Sequence, residues 1–283
     1  MQASIVRDMA ISAERRGGLP TERAHVLRLR EGRVSESPDV VAAEEPLEIR
    51  LAGEPIAVTM RTPGHDTELA VGFLIGEGII RPGDVATVVE CRSDEGDGGI
   101  ADVKLRAGAT PSAGWQRNFY ATSSCGVCGK ASIEAVRVAS DPIPDGPVMS
   151  ADVLLSLPES LQRAQRVFER TGGLHAAGLF DPSGELEVLR EDVGRHNAVD
   201  KAIGRSAMDG RLPLSSSTLL VSGRSSFEIM QKALVAGIPS VAAVSAPSSL
   251  AVRLARESNM TLVGFLRRGG FNVYSGRERI AGL

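Results

Sequence analysis

Thr218–Val244 reads TLLVSGRSSFEIMQKALVAGIPSVAAV. A short apolar run, Thr218–Ser222, stops at Gly223. Ser225 and Glu228 then stand in the Ser-x-x-Glu order of a capping box, opening a helix that runs to Ala236. A second apolar run, Ser240–Val244, follows. Strand, helix and strand in so few residues form a crossover unit, and such units build a sheet with helices packed on it.

The same pattern extends in both directions. Downstream, Ala246–Glu257 is helical with Pro247 near its first turn. Thr261–Leu266 is a strand and Phe271–Tyr274 a last extended piece. Upstream, Gly194–Met208 is a helix. His175–Phe180 and Glu185–Arg190 flank the turn Asp181-Pro182-Ser183-Gly184 and form a hairpin. Ser150–Arg170 is helical, with Leu157, Leu161, Ala164 and Phe168 on one face and Gly172-Gly173 as its stop. One helix, a hairpin and three helix–strand units give a mixed sheet covered by helices.

That order matches the cytidine deaminase-like architecture. In zinc deaminases the metal ligands sit at two successive helix N-termini, as H-x-E and then P-C-x-x-C. The equivalent starts here are Gly194-Arg195-His196-Asn197 and Gly223-Arg224-Ser225-Ser226. The first lacks the glutamate and the second both cysteines, so no zinc site is expected in the domain. Two helix N-termini facing a cleft remain, each with an arginine. Free N–H groups, the helix dipole and guanidinium groups favour an anion. Arg195, His196, Gly223, Arg224 and Ser225 are therefore candidates for holding a nucleotide or phosphate-bearing cofactor. In the competing reading, Arg195 and Arg224 only pair with Glu191, Asp192 or Glu228. From Leu250 onward six arginines face two glutamates, and Phe265-Leu266-Arg267-Arg268-Gly269-Gly270 leaves the last core strand as an anion-binding rim. His175 and His196 fall near the same cleft, with proton transfer to a thiol or contact with phosphate as their possible roles.

The first half is a compact α+β unit. His25–Arg30 is a weak strand, and Leu47–Leu51 and Ile56–Met60 are two strands joined at Ala52-Gly53-Glu54. His65–Ile80 is a helix with Asp66 as its cap and Leu69, Ala70, Phe73 and Leu74 as its apolar face. Val85–Arg92, with Cys91 buried in it, pairs with Ile100–Arg106. Residues 1–24 read as a disordered tail, 25–118 as the α+β domain, 119–146 as a mobile connector and 147–283 as the deaminase-like domain.

The connector carries the chemistry. Thr122–Lys130 is TSSCGVCGK, with Cys125 and Cys128 in Cys-x-x-Cys spacing between glycines. Lys130 favours the thiolate form of a nearby cysteine. The residues alone leave open half of a zinc site, a dithiol redox pair and a persulfide carrier. With 283 residues and 42% hydrophobic content the chain has ample core for two domains. A net charge of −3 gives no general attraction to nucleic acid. Three cysteines make no disulfide framework, and no apolar run spans a bilayer. A cytoplasmic protein that binds neither nucleic acid nor membrane is expected.

These stretches resemble the formate dehydrogenase accessory sulfur carriers of the FdhD family. The resemblance rests on Glu44–Leu47, Thr59–Pro63, Leu69–Ile80 (LAVGFLIGEGII), Cys125–Lys130 (CGVCGK), Thr171–Ala177, Arg190–Lys201 (REDVGRHNAVDK), Ser222–Ser249 and Leu262–Tyr274. It implies a sulfurtransferase-type carrier that takes sulfur from a cysteine desulfurase as a persulfide on Cys125, with Cys128 as partner thiol. It further implies delivery to a molybdenum (or tungsten) cofactor, Mo-bis(molybdopterin guanine dinucleotide), before insertion into formate dehydrogenase. Phe265, Leu266, Arg267, Arg268, Gly269 and Gly270 would belong to the cofactor-binding stretch, which a guanine nucleotide would also occupy. A homodimer suits such delivery. Two other classes compete: a zinc-bound binding module in which two subunits complete a Cys₄ site, and a thiol–disulfide oxidoreductase. The latter lacks the strand–Cys-x-x-Cys–helix context it needs.

Overall fold

The structure, a computed structural model, describes residues 18–92, 98–112 and 140–283. Cys125, Cys128 and residues 1–17 lie outside these, so the expectations for the Cys loop and for most of the tail fall there. Within them, β1 (Thr21–Arg30) and β2 (Arg33–Ala42) form an antiparallel ribbon in continuous register. Glu31 and Gly32 both have positive φ, as a two-residue hairpin turn of the favoured hand requires. The strand starts earlier than His25. β2 was not expected, because RVSESPDVVA carries a proline and little apolar alternation and is held by the ladder.

Four strands follow in the order β4-β3-β6-β5, built from β3 (Glu45–Leu51), β4 (Glu54–Arg61), β5 (Val85–Arg92) and β6 (Gly99–Leu105). Between β4 and β5 lies α1 (Asp66–Gly76). Asp66 does not cap it: the N-cap is His65, in the left-handed region. Asp66 instead takes the Arg61 guanidinium in a two-pronged pair, at 3.0 Å to Nε and 2.8 Å to Nη2. Cys91, expected inside, is exposed, because its strand β5 is at the sheet edge.

The second half opens with β7 (Met149–Ser150), α2 (Ala151–Ala164) and α3 (Arg166–Thr171). The single helix expected over Ser150–Arg170 is thus broken at Gln165, which has non-helical ψ, and Phe168 is exposed. Then come β8 (His175–Phe180), β9 (Leu186–Asp192), α4 (Arg195–Met208), β10 (Thr218–Val221) and α5 (Phe227–Val235). The chain closes with β11 (Ser240–Ala243), α6 (Ser249–Glu257), β12 (Thr261–Arg267), β13 (Gly270–Ser275) and β14 (Ile280–Ala281), which pairs with β7. α6 starts later than expected, with Ser248 as its cap accepting the Ala251 amide at 3.2 Å. Pro247 precedes it, in a bridge to Ser225.

The six-stranded sheet runs β13-β12-β11-β10-β8-β9, with β10, β11 and β12 parallel and the other pairs antiparallel. Alternate strand residues divide its two faces. Leu179, Leu219, Val241 and Leu262 meet α4, α5 and α6, while Phe180, Leu220, Ala242 and Val263 meet α2. This is the expected α/β class with a mixed sheet in three layers. Among the described residues no helix is long and apolar enough to cross a membrane.

One core runs from the four-stranded sheet through α1 into α4 and α5. α1 is buried on all sides: Leu69, Ala70, Val71, Leu74 and Ile75 are each within 1% of complete burial. Its backbone meets that of α4. A Cβ on Gly72 would overlap the Asp200 carbonyl, and one on Gly204 the Glu68 carbonyl. Only glycine permits this approach. Charges then pin the layer. Glu68 holds the Arg190 guanidinium at 2.7 Å. Lys232 Nζ lies 2.8 Å from Asp200 and 3.3 Å from Glu77, and 5.3 Å from the Phe73 ring centre. Burial pushes the Asp200 carboxyl up to about 6 against the pull of Lys232, and Glu77 and Asp192 push the same way.

Gly204→Ala is expected to cost roughly 3 kcal/mol or more, because backbone on both sides must move. Gly269→Ala, where a methyl meets nothing within 4 Å, should stay within about 0.5 kcal/mol. Urea denaturation of both variants checks the contrast. A second expectation concerns acid. Burial opposes ionisation of Glu68, but hydrogen bonds from Arg190 and His65 outweigh it and hold the carboxyl at about 2. Its stabilisation is present above the ordinary glutamate range and is lost as pH falls toward 2. Arg190→Ala should therefore lower stability near neutrality and flatten its fall between about pH 4.5 and 2, read from melting temperature against pH.

Candidate functional site

The carboxyl ends of the parallel strands gather the candidate residues. Val221 lies opposite Ala177 on one side and Ala243 on the other, and His175 lies opposite Asp192. The ends of β9, β10, β11 and β12 and the start of β8 therefore share one edge. The N-termini of α4, α5 and α6 stand over it. Open α/β sheets bind ligands at this edge, in the crevice outside the strand ends.

Two of the three helix starts lack a side-chain cap. Gly194 at α4 has no side chain to offer, and Ser226 at α5 makes no capping bond. The expected capping box of Ser225 and Glu228 is thus corrected. The helix begins one residue later than a Ser225 cap requires, and the Ser226 hydroxyl turns to His196 Nε2 at 3.1 Å. Glu228 lies 3.9 Å from the same nitrogen. Neither α4 nor α5 thus has a side-chain cap from its own N-cap residue, and helix N-termini favour an anion.

Two polar atoms here are buried without a hydrogen-bond partner: Arg195 Nε and Ser225 Oγ. Ser225 is fully buried and Arg224 is exposed. Gly223 separates them from His175. A Cβ on Gly223 would sit 3.4 Å from His175 Nδ1 and 3.7 Å from Arg195 Cδ, in ordinary van der Waals contact with both, so Gly223 lies between these two side chains. Burial first, and then the Arg195 charge, lower the His175 pKa, while Asp192 opposes them. The imidazole is neutral near pH 7 and can accept or donate one hydrogen bond.

The stretch 265–270 reaches the same edge two strands away, about 10 Å at ordinary strand spacing. The Phe265 amide donates to the Ser245 carbonyl at 3.1 Å. Phe265 has φ 53° at an irregularity of the β12–β13 ladder, an uncommon conformation for a bulky residue, and its ring is exposed. Leu266 is fully buried and serves the core, so it offers a ligand no side chain. Arg267 and Arg268 are exposed at the hairpin turn, and Gly269 has nothing within 4 Å of a Cβ position. Arg195, His196, Gly223 and Ser225 thus form one cluster, with Arg224 at its rim and Phe265 and Arg267–Gly270 as a second wall.

Sequence reasoning missed the polar floor. Asp192, fully buried, accepts three hydrogen bonds, from Gly194 N at 2.8 Å, Asn197 Nδ2 at 3.0 Å and Thr62 N at 3.1 Å, and forms an ion pair with Lys201 Nζ at 2.7 Å. It also missed the serines. Val221–Phe227 (VSGRSSF) and Val244–Leu250 (VSAPSSL) are one short pattern twice, and the repeat was the signal available. The two loops are joined, Ser248 N to Ser225 O at 3.0 Å. A separate cavity of about 260 Å³ is bounded by Thr62, Leu174, Leu189, Arg190, Glu191 and Lys201, among others. Its charged walls already have partners, Glu68 for Arg190, Asp192 for Lys201 and two α3 amides for Glu191, so the cleft is the better anion site. Among the described residues no group of three or more His, Cys, Asp or Glu is placed to hold a metal.

The family described as FdhD/NarQ matches residues 42–281. A sulfur carrier protein FdhD of Streptomyces avermitilis is 56% identical, over 93% of this chain and 97% of its own. Its counterpart in the archaeon Sulfurisphaera tokodaii is 43% identical, over 93% of this chain and 100% of its own. The crystal structure of a proposed formate dehydrogenase accessory protein from Desulfotalea psychrophila superposes with a TM-score of 0.71 at 27% identity, covering 92% of this chain and 99% of that one. With a match over most of its length and relatives this close, the chain belongs to the FdhD/NarQ family.

Proposed function

We propose that this protein is a sulfur carrier in the service of formate dehydrogenase. It accepts sulfur from a cysteine desulfurase as a persulfide on Cys125 and hands it to a bis-guanine-dinucleotide molybdenum cofactor held as cargo. The observation that carries the cargo half is the strand-end cleft, where the N-termini of α4 and α5 lack side-chain caps and where, among the described residues, Arg195 Nε and Ser225 Oγ are buried without a hydrogen-bond partner. Diphosphate oxygens suit those donors. The exposed Phe265 ring gives a base a face to stack on, and Arg267 and Arg268 add positive charge. The names of the close relatives support the sulfur half.

Release needs only the two thiols. The Cys128 thiolate attacks Cys125 Sγ, the persulfide S–S bond breaks, hydrosulfide leaves and a Cys125–Cys128 disulfide forms. A cellular dithiol reductant then restores both thiols.

Incubation with a cysteine desulfurase and cysteine should add about 32 Da per sulfur, removable by reductant and absent in Cys125→Ala. Cys128→Ala should load normally and release slowly. Equal slowing of both steps would remove Cys128 from the release step, and no gain in mass would remove the carrier reading. The cargo half has its own check. GDP titrated calorimetrically should bind the parent protein, and Phe265→Ala or Arg195→Ala should weaken it by about tenfold, the loss of one stacked or charge-assisted contact.

A further inference from the structure

We propose that Asp192 is a positioning residue of the cleft: it sets the first turn of α4, and through it Arg195 and His196, rather than merely neutralising a buried lysine. The inference deepens the cargo reading given above and rests on it for the identity of the ligand.

A carboxylate has about four acceptor sites, and Asp192 engages three hydrogen-bond donors and one ammonium partner. They divide between two tasks. Oδ2 takes the Thr62 amide from the first half of the chain and pairs with the ammonium of Lys201 two turns along α4, and Lys201 also donates to the Thr62 carbonyl at 2.8 Å. Oδ1 faces α4, taking the Gly194 amide and the Asn197 side chain. Gly194 is the N-cap and Asn197 lies in the first turn, so Oδ1 grips the residues on either side of Arg195 and His196. Asn197 completes the grip by donating to the Met60 carbonyl at 2.8 Å. A glycine N-cap has no hydroxyl or carboxylate of its own to fix the entry to the helix. Asp192, two residues earlier, supplies the missing acceptor from beneath.

This arrangement holds the start of α4, which has no side-chain cap from its own N-cap residue, in one geometry, as an anion site needs. It also explains why Arg195 Nε can stay buried without a partner: the backbone carrying it is over-determined by neighbours.

The two tasks are separable. Asp192→Asn keeps the shape but removes the charge and makes one oxygen a donor group, which faces either Lys201 or the Gly194 amide. Lys201→Met removes only the partner on the Oδ2 side. Single variants leave one uncompensated buried charge or a mispaired amide, and stability falls in both. In Asp192→Asn/Lys201→Met the charge imbalance is gone, and denaturation should show much of the loss regained.

GDP is the probe of the ligand site. Positioning predicts affinity at least about tenfold weaker in Asp192→Asn and in the double variant, with Lys201→Met within about twofold of the parent. Affinity that instead follows stability across the three variants would overturn the inference and leave Asp192 as a core charge. A second readout needs no ligand: hydrogen exchange at the amides of Arg195–Val199 in the full chain. Protection there should drop in the double variant while the rest of α4 keeps it. Unchanged protection overturns positioning whether or not GDP binds. Lost protection with no GDP binding by the parent sustains positioning and sinks only the nucleotide reading.

Discussion

The contact between Gly72 and Gly204 governs how the two halves of this molecule meet. Two helix backbones touch there, with the carbonyl groups of Asp200 and Glu68 where a side chain would otherwise start. That approach brings α1 deep enough to be wrapped by the four-stranded sheet on one side and by α4 and α5 on the other. Close packing of this kind tolerates no added volume, so it fixes distance as well as orientation. The turn after β4 is then carried to the base of α4, and Thr62 can reach Asp192. The first half of the chain contributes no candidate ligand group to the cleft. It contributes the rigidity under it.

The cleft follows from what the helix starts lack. α6 caps itself with Ser248, but α4 begins at a glycine and α5 spends its serine on His196. Helix starts without a side-chain cap also occur at α1 and α3, so what distinguishes this edge is two such starts side by side next to an arginine whose buried Nε has no hydrogen-bond partner among the described residues. The left-handed Phe265 on the opposite wall is a second such feature.

Much of this was legible in the sequence. Apolar runs of strand length between helical repeats gave the order β8 to β13, because a buried parallel strand has little freedom to be anything else. The Arg195–His196 and Arg224–Ser225 pairs were found from their places at predicted helix starts. What escaped depended on partners distant in sequence. β2 is held by its ladder with β1 and has no pattern of its own. Asp66 looked like a cap because local signals favour it, yet Arg61 claims it. Cys91 was placed inside because its strand is apolar, and edge position is a property of the sheet. Asp192 entered only as a possible partner for Arg195 or Arg224 and Lys201 had no assigned role, and only the tertiary fold turns both inward to meet each other.

Three charge groups lie inside the layer between the sheets: Glu68 with Arg190, Asp192 with Lys201, and Asp200 with Glu77 and Lys232. Each is costly to break one member at a time, while replacement of a whole group by apolar side chains of similar volume is far less so. The intermediate steps of such an exchange carry an unpaired interior charge. An exchange of such a group is therefore expected to pass through a destabilised intermediate unless its members change together.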